Sequence, residues 1–251
     1  MKQLSDRYTF VARFLPAALV LLPAGLALAA WFPSRFDGWP LLIGLLTTGG
    51  MAALMAQIAR DAGKKKESTL WTGWGGQPTV LQLRHRHSNL DQLTLKRYHS
   101  ILAALVPGTS AWTPEEEKIN PTAADDVYLT WTRYLREATR DREKFAVLFS
   151  ENISYGFRRN LWSMKLSAVI IAIVSIAAVA ARIGLALWTQ QPVPPLAGVV
   201  AAINIILLFL WVFHFTPSWV RLPADAYAER LLASCEQLSS NVANPTERSS
   251  A

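Results

Sequence analysis

Cysteine is almost absent from the sequence: Cys235 stands alone. One thiol excludes an intrachain disulfide and a thiolate metal cluster, so the fold does not depend on an oxidising compartment. Histidine is scarce as well, limited to His85, His87, His99 and His214. His85 and His87, with His99 as a remote third ligand, come nearest to a zinc site. No carboxylate or thiol completes that set at a recognisable spacing, and no metal is assigned. The glycine-rich string near position 75 lacks the Gly-Lys-Ser/Thr that would make it a P-loop. No nucleophile, acid–base pair or metal set forms a recognisable constellation. No catalytic residue is therefore assigned, and no cofactor is called for.

Apolar residues, by contrast, make up 51 % of the chain, and ten are Trp. That balance points to a membrane protein. Four stretches are candidates to cross: 14–31, 41–59, 166–188 and 196–215. Pro16 and Pro23 should kink the first, because each removes a backbone donor. A rival reading takes the basic start, the apolar middle and Ala27-Leu28-Ala29 as a secretory signal with its cleavage site. A second apolar run follows so soon afterwards that a hairpin of two helices explains both runs, and that reading is preferred. In the second stretch Gly44, Thr48, Ala52 and Ala56 recur every four residues, a pattern that lets helix backbones approach closely. It fits packing within the chain, or self-association into a homo-oligomer.

Charge sets the expected orientation. Between Arg60 and Ser163 sixteen cationic residues face twelve acidic ones. Arg60 and Lys64-Lys65-Lys66 follow the second span directly, and Arg7 and Arg13 precede the first. Basic residues beside span ends mark the cytoplasmic side. The expected architecture is an all-α membrane protein of four transmembrane helices, with both termini inside. A mostly helical cytoplasmic domain is inserted between helices 2 and 3. Its parts are an N-terminal hairpin (1–59), the inserted domain (60–164), a second hairpin (165–215) and a cytoplasmic tail (216–251).

Within the insert, Trp71 to Thr79 is the most unusual string. Gly73, Gly75 and Gly76 permit positive φ, and could cradle an anion or nucleotide with backbone N–H groups. They could equally form a tight turn packed by Trp71 and Trp74 at the membrane interface. Val80 to Leu83 reads as a short strand or extended arm. Arg84 and Arg86 then share one side of an extended chain, as an anion-facing strip or a solvated basic face. Helices are expected over 90–105, capped by Asn89, and over 122–140. Val127, Tyr128, Trp131, Tyr134, Leu135 and Ala138 form the apolar stripe of the latter. Thr113-Pro114-Glu115-Glu116 is a helix start whose acids suit the helix dipole. Arg133, Arg136, Arg140 and Arg142 form a basic ridge. A cytosolic protein, an anionic ligand or nucleic acid could meet it, with nucleic acid not favoured. From Glu151 to Trp188 no proline intervenes, so one continuous or slightly bent helix could enter the third span.

In the spans, Ser175 and Arg182 share a face near Ala168, Ala172 and Ala178. Arg182 either pairs within the membrane or snorkels to the headgroups. Asn204, at mid-span, should hydrogen-bond another helix. Pro217 and Pro223 should end the last span, and a short amphipathic helix is expected over 224–237. The strings Trp71 to Thr79 and Glu151 to Asn160 resemble those of uncharacterised bacterial four-span inner-membrane proteins. The resemblance implies a bacterial inner-membrane location and carries no activity. The reading that follows is a non-enzymatic sensor or scaffold whose inserted domain binds a partner or anionic ligand. An oligomeric, domain-gated pore of the defence-effector type, lined by Ser175, Arg182 and Asn204, is the first alternative. An enzyme in the inserted domain is the second.

Overall fold

The computed structural model describes residues 7–32, 50–86 and 88–243. These are helical almost throughout, with no strand among them. The chain divides into two compact units: Ser68–Asn152 with the chain from Leu222 onward, and the chain up to Glu67 with Ile153–Arg221.

The second unit is an apolar bundle. A π-helical turn, Thr9–Phe14, leads into α1 (Leu15–Trp31). The bundle also takes in the first part of α2 (Gly50–Trp74), the later part of α7 (Ala146–Ser163), α8 (Lys165–Trp188) and α9 (Pro195–Phe209). A second π-helical turn, Leu210–His214, ends α9. Among the described residues, three helical stretches are long and apolar enough to cross a membrane: Thr9–Trp31, Lys165–Trp188 and Pro195–His214. The first part of the expected second span, 41–49, lies outside the described residues. Gly44, Thr48 and Gly49 are there, while Ala56 and Ala59 are described and buried.

Small side chains hold this bundle together in two layers. Ala17, Val20, Ala59, Leu161, Met164, Ala168 and Trp211 form one, and Ala27, Ala30, Val179, Ala197 and Val200 form the other. α1 and α8 therefore run in the same direction, and α9 runs back. The buried stripe of α8 is Ala168, Ala172, Ser175, Val179 and Ala186. It shares Ala168, Ala172 and Ser175 with the expected face and continues through Val179 and Ala186 rather than Ala178 and Arg182. The backbone carbonyl of Ala178 accepts a hydrogen bond from Trp31 Nε1 at 2.9 Å. The outward faces carry Leu166, Ile170, Ile173, Val174, Ile206 and Phe209, all exposed. Contiguous apolar surface of this kind suits contact with lipid.

Two prolines shape the bundle in a way the sequence only half disclosed. Pro16 follows the π-helical turn, whose last bond runs from Leu15 N–H to the Phe10 carbonyl, and has no N–H to continue that ladder. The neighbouring Ala12 carbonyl accepts from Asn160 Nδ2 at 2.7 Å. Pro223 lies inside α10 (Pro217–Ala243) and does not stop it. The carbonyl left without its helical donor is that of Trp219, and Arg158 Nη1 fills the gap at 2.9 Å. The Arg158 guanidinium also stacks over the Trp219 ring, 4.7 Å from its centroid. Pro217 begins α10 because its missing N–H costs nothing in the first turn.

The first unit is a helical domain. The last turns of α2 end in a Schellman cap: Gly75 N–H bonds Thr72 O at 3.2 Å and Gly76 N–H bonds Trp71 O at 2.8 Å. Gly75 takes φ +87°, the left-handed conformation this cap demands. Changing Gly75 to Ala should destabilise this domain by about 1–2 kcal/mol, the penalty of a Cβ in that region. Thermal unfolding would show it, and the same change at Gly73, inside the helix, should instead be neutral or mildly stabilising.

The segment from Pro78 is not extended. It is a short helix, α3 (Pro78–Leu83), with every residue buried. So brief an apolar run does not distinguish a strand from a buried helical turn, and Pro78 at the helix start decides it. α4 (Gln92–Leu105) is capped by Asp91, whose carboxylate accepts from Thr94 N–H, rather than by Asn89. Its buried face is Leu95, Tyr98, His99 and Leu102, while Leu93 is exposed. α5 (Pro114–Ile119) opens with the full capping box between Thr113 and Glu116. α6 (Pro121–Ala138) follows, capped by Asn120, and buries Ala124, Tyr128, Trp131 and Leu135.

The C-terminal helix completes this core. Leu231, Leu232 and Cys235 of α10 are fully buried against the cluster containing Tyr98, Tyr128 and Trp131. The segment assigned to a separate tail thus supplies part of the inserted domain's interior. Burial pushes the Cys235 thiol up to about 12, with the Glu236 charge adding to the effect. Iodoacetamide at pH 8 should leave Cys235 unmodified in the folded protein and modify it once the domain is unfolded in denaturant. The sole cysteine is therefore a reporter of this domain's opening.

Candidate ligand-binding site

Helix α5 brings an acid into the interior. Glu117 is 1 % exposed. Its carboxylate accepts from His85 N–H at 2.9 Å, Tyr128 O–H at 2.8 Å and Arg86 Nη1 at 2.8 Å. Burial pushes this carboxyl up, but the hydrogen bonds from His85, Tyr128 and Arg86, with the Arg86 charge, outweigh it. The net result is a pKa below the usual glutamate value. Tyr128 is driven the other way, first by burial and then by its bond to Glu117.

Asp125, from the first turns of α6, joins the same network. Arg84 grips it through Nε at 2.8 Å and Nη2 at 2.7 Å, a bidentate fork. Arg86 Nη2 reaches it at 3.0 Å. Arg84 Nη1 also donates to the carbonyl of Gly75 at 2.8 Å. The two arginines singled out as an anion strip are thus committed to Asp125 and Glu117. The two cations and two carboxylates sum to zero charge. The glycines are likewise accounted for: the N–H groups of Gly75 and Gly76 serve the α2 carbonyls, which removes the proposed anion cradle. Gly76 lies so close to Arg84 that an added Cβ would sit 3.1 Å from Nη2.

Two imidazoles lie behind this network. His85 Nε2 bonds the Trp112 carbonyl at 2.8 Å, and His99 Nε2 bonds the Leu83 carbonyl at 2.8 Å. A carbonyl only accepts, so each Nε2 carries the hydrogen and each Nδ1 is a lone pair when the ring is neutral. The rings meet edge to face at 4.7 Å. Burial depresses the pKa of His99, with the neighbouring His85 acting in the same sense. His87 lies outside the described residues.

Around the α2 cap opens a pocket of about 590 Å³, walled by Trp71, Val80 and Leu129, with Arg84 and Asp125 at one side. A second, smaller pocket of about 230 Å³ lies at the end of α6. Arg136, Arg140 and Arg142 converge on it, with Thr139, Asn152 and Tyr227. Arg140 meets Glu137 on the surface at 2.6 Å. The guanidinium of Arg142 lies over the Phe149 ring, 4.8 Å from its centroid. Arg133 is exposed on α6 and is not among the residues of this groove.

In the bundle, Ser175 and Asn204 are buried between helices. Asn204 Nδ2 donates to the Pro23 carbonyl at 3.4 Å, the interhelical bond its mid-span position called for. Arg182 is half-buried.

Several of these residues carried no usable sequence signal. Glu117 sits beside two exposed acids that cap and charge α5, and nothing local separates it from them. Asp125 looked like an ordinary first-turn acid. Asn152 and Tyr227 reach the arginine groove from distant parts of the chain. Glu67 alone offered a clue, as the one acid directly after three lysines. It proves to pair with Arg159 inside the bundle.

The fold defines an all-helical protein with helices able to cross a membrane and a separate helical domain. Compared with protein-family models, curated proteins and solved structures, the chain matches none.

Proposed function

We propose that this protein is a non-enzymatic, membrane-anchored receptor or scaffold whose helical domain binds a small anionic group. The observation that carries the reading is the groove at the end of α6. Three arginines, Arg136, Arg140 and Arg142, line one small pocket together with Thr139, Asn152 and Tyr227. Arginine forks match phosphate and carboxylate geometry. At about 230 Å³ the pocket falls below the ~300–1,000 Å³ typical of drug-sized ligands. It suits a phosphate or carboxylate group, free or carried on a partner.

The orientation proposed is four crossings of a bacterial inner membrane, with both termini and the helical domain in the cytoplasm. Two features support it. Arg13, Lys64 to Lys66, Arg158 and Lys165 flank the same ends of the apolar helices. The chain leaves α1 at Trp31 beside one layer of the bundle, and Ala59 packs in the other. A returning crossing between those two points fits both placements.

The binding reading is tested with full-length protein in nanodiscs of zwitterionic lipid, titrated with pyrophosphate by calorimetry at low salt. Wild type and Arg133→Ala should bind equally, and Arg136→Ala/Arg140→Ala should bind at least tenfold more weakly. Equal binding by all three, or none by wild type, would count against the groove.

A further inference from the structure

The cations of the bundle gather at one end. Among its described residues the lysines and arginines number eleven and the acids two, Asp61 and Glu67. Arg182 alone lies toward the layer of Val179 and Ala197; the others lie at or beyond the layer of Ala17, Ala59 and Leu161. We infer that this basic end is a binding surface for the headgroups of anionic phospholipids. The inference takes the apolar helices to lie in a bilayer, and it stands apart from the arginine groove.

Three observations carry it. The first is charge. Glu67 already serves Arg159, and Lys64 comes no closer to it than 3.8 Å. Asp61 is then the one described acid of the bundle left to offset Arg7, Arg60, Lys64, Lys65 and Lys66, all of them exposed. Arg60 and Lys64 stand one turn apart on α2 and repel each other. A few basic residues are enough to orient a span. Clusters of about four or more beside a span also attract anionic lipid. The second is depth. Lys66 Nζ lies over the Trp162 ring, 5.7 Å from its centroid, and the Arg13 guanidinium lies 5.1 Å from that of Tyr8. With Arg158 over Trp219, three cations rest on aromatic faces at this end. Trp and Tyr settle at the headgroup level, so the cations stacked on them are held at the depth of lipid phosphate. The third is the neighbourhood. Leu166 and Ile170, exposed on α8 directly after Lys165, begin the apolar surface that suits acyl chains. Lys165 Nζ donates to the carbonyls of Val212 and Phe215, at 2.9 and 3.1 Å, which leaves one of its three N–H groups for a ligand. An anion that meets apolar surface on one side and cations on the other is a phospholipid. Phosphatidylcholine is neutral overall, whereas phosphatidylglycerol carries the net negative charge that this end lacks.

Spin-labelled lipids test this. Full-length protein is reconstituted in phosphatidylcholine vesicles holding a trace of spin-labelled phosphatidylglycerol or spin-labelled phosphatidylcholine. Electron spin resonance then reads the fraction of each label held against the protein. At low salt, wild type should prefer the phosphatidylglycerol label by about threefold or more. At about 1 M salt, where screening acts within about 3 Å, most of that preference should vanish. Replacing Arg60, Lys64, Lys65 and Lys66 together by Gln should cut the low-salt preference by about half or more. Arg182→Gln, at the other end, should leave it unchanged, and so should Arg136→Ala/Arg140→Ala in the groove. The number of phosphatidylcholine labels held per protein shows that each variant keeps the same lipid-facing surface. A quadruple variant that altered this number is replaced by Lys64→Gln/Lys65→Gln, both at exposed positions, which should lower the preference in the same sense. Equal association of the two labels with wild type would overturn the assignment. So would a preference that survives both high salt and the quadruple change. Loss of the preference in Arg136→Ala/Arg140→Ala alone would move the lipid phosphate to the groove and equally overturn it.

Discussion

Replacing Glu117 with Ala should destabilise the helical domain by about 3–5 kcal/mol, the range expected when one member of a buried charged network is removed. Three groups lose their acceptor at once: the His85 N–H, the Tyr128 hydroxyl and the Arg86 guanidinium. The hydroxyl is the most exposed to penalty, because Tyr128 is fully buried and has nowhere else to turn. Arg86 is partly solvated and keeps Asp125, so it contributes less. Cys235 reports the effect directly. Its alkylation requires the same core to open, and a loss of this size should raise the open population by about two to four orders of magnitude. Glu117→Gln, which keeps an acceptor but removes the charge, should lie between. If the labelling rate in Glu117→Ala matched wild type, the network would not hold the domain together.

The same residues set a pH dependence. The Glu117 pKa is lower folded than unfolded, so its stabilisation is present at neutral pH and lost as pH falls through the folded value. His99 is also depressed, and the sign is the same: the folded state favours the neutral ring. Stability should therefore begin to fall as pH drops below the ordinary histidine value of 6.5. It should fall further below the ordinary glutamate value of 4.5. His99→Gln should remove the first phase and leave the second.

In the bundle, Arg159→Met should cost about 3–5 kcal/mol, by leaving the largely buried Glu67 with only the exposed Lys64, 3.8 Å away, as counter-ion. Arg159 and Glu67 side chains are only 8 % and 12 % exposed. Tyr155 O–H also donates to Glu67, at 3.1 Å. Arg159 further holds Asn160, with Nε and Nη2 donating to Asn160 Oδ1 at 3.2 and 3.1 Å. That orients the Asn160 amide toward the Ala12 carbonyl. Gly63 permits the arrangement: a Cβ there would meet Asn160 Oδ1 at 1.9 Å. A double variant, Glu67→Leu/Arg159→Met, should recover much of the loss, because a buried pair replaced by apolar groups is often neutral. Unfolding in mixed micelles, followed by tryptophan fluorescence, measures the cycle. A double variant no better than the sum of its singles would show that the two groups are not coupled.

The elements were legible where the signal was local. The capping box at Thr113, the stripe through Tyr128, Trp131 and Leu135, and the long apolar runs all follow from spacing within a turn or two. The failures are non-local. Val80 to Leu83 is too short for periodicity to decide. Leu231, Leu232 and Cys235 show that α10 is amphipathic but not that it completes the inserted domain's core. Arg84 and Arg86 looked available because their carboxylate partners stand some thirty to forty residues away, on helices whose placement sequence does not specify. Of the candidate binding arginines, Arg136 and Arg140 do share a pocket. Its remaining wall, from Asn152 and Tyr227, came only with the tertiary structure.

The proposed topology puts the helical domain and the N-terminus on one side of the membrane and the connector after α8 on the other. Single cysteines at Leu93 and at Gln191, both exposed, test it in a Cys235→Ser background. A membrane-impermeant maleimide applied to intact cells should label Gln191→Cys and spare Leu93→Cys until the membrane is permeabilised. Labelling of Leu93→Cys in intact cells, with Gln191→Cys protected, would contradict it.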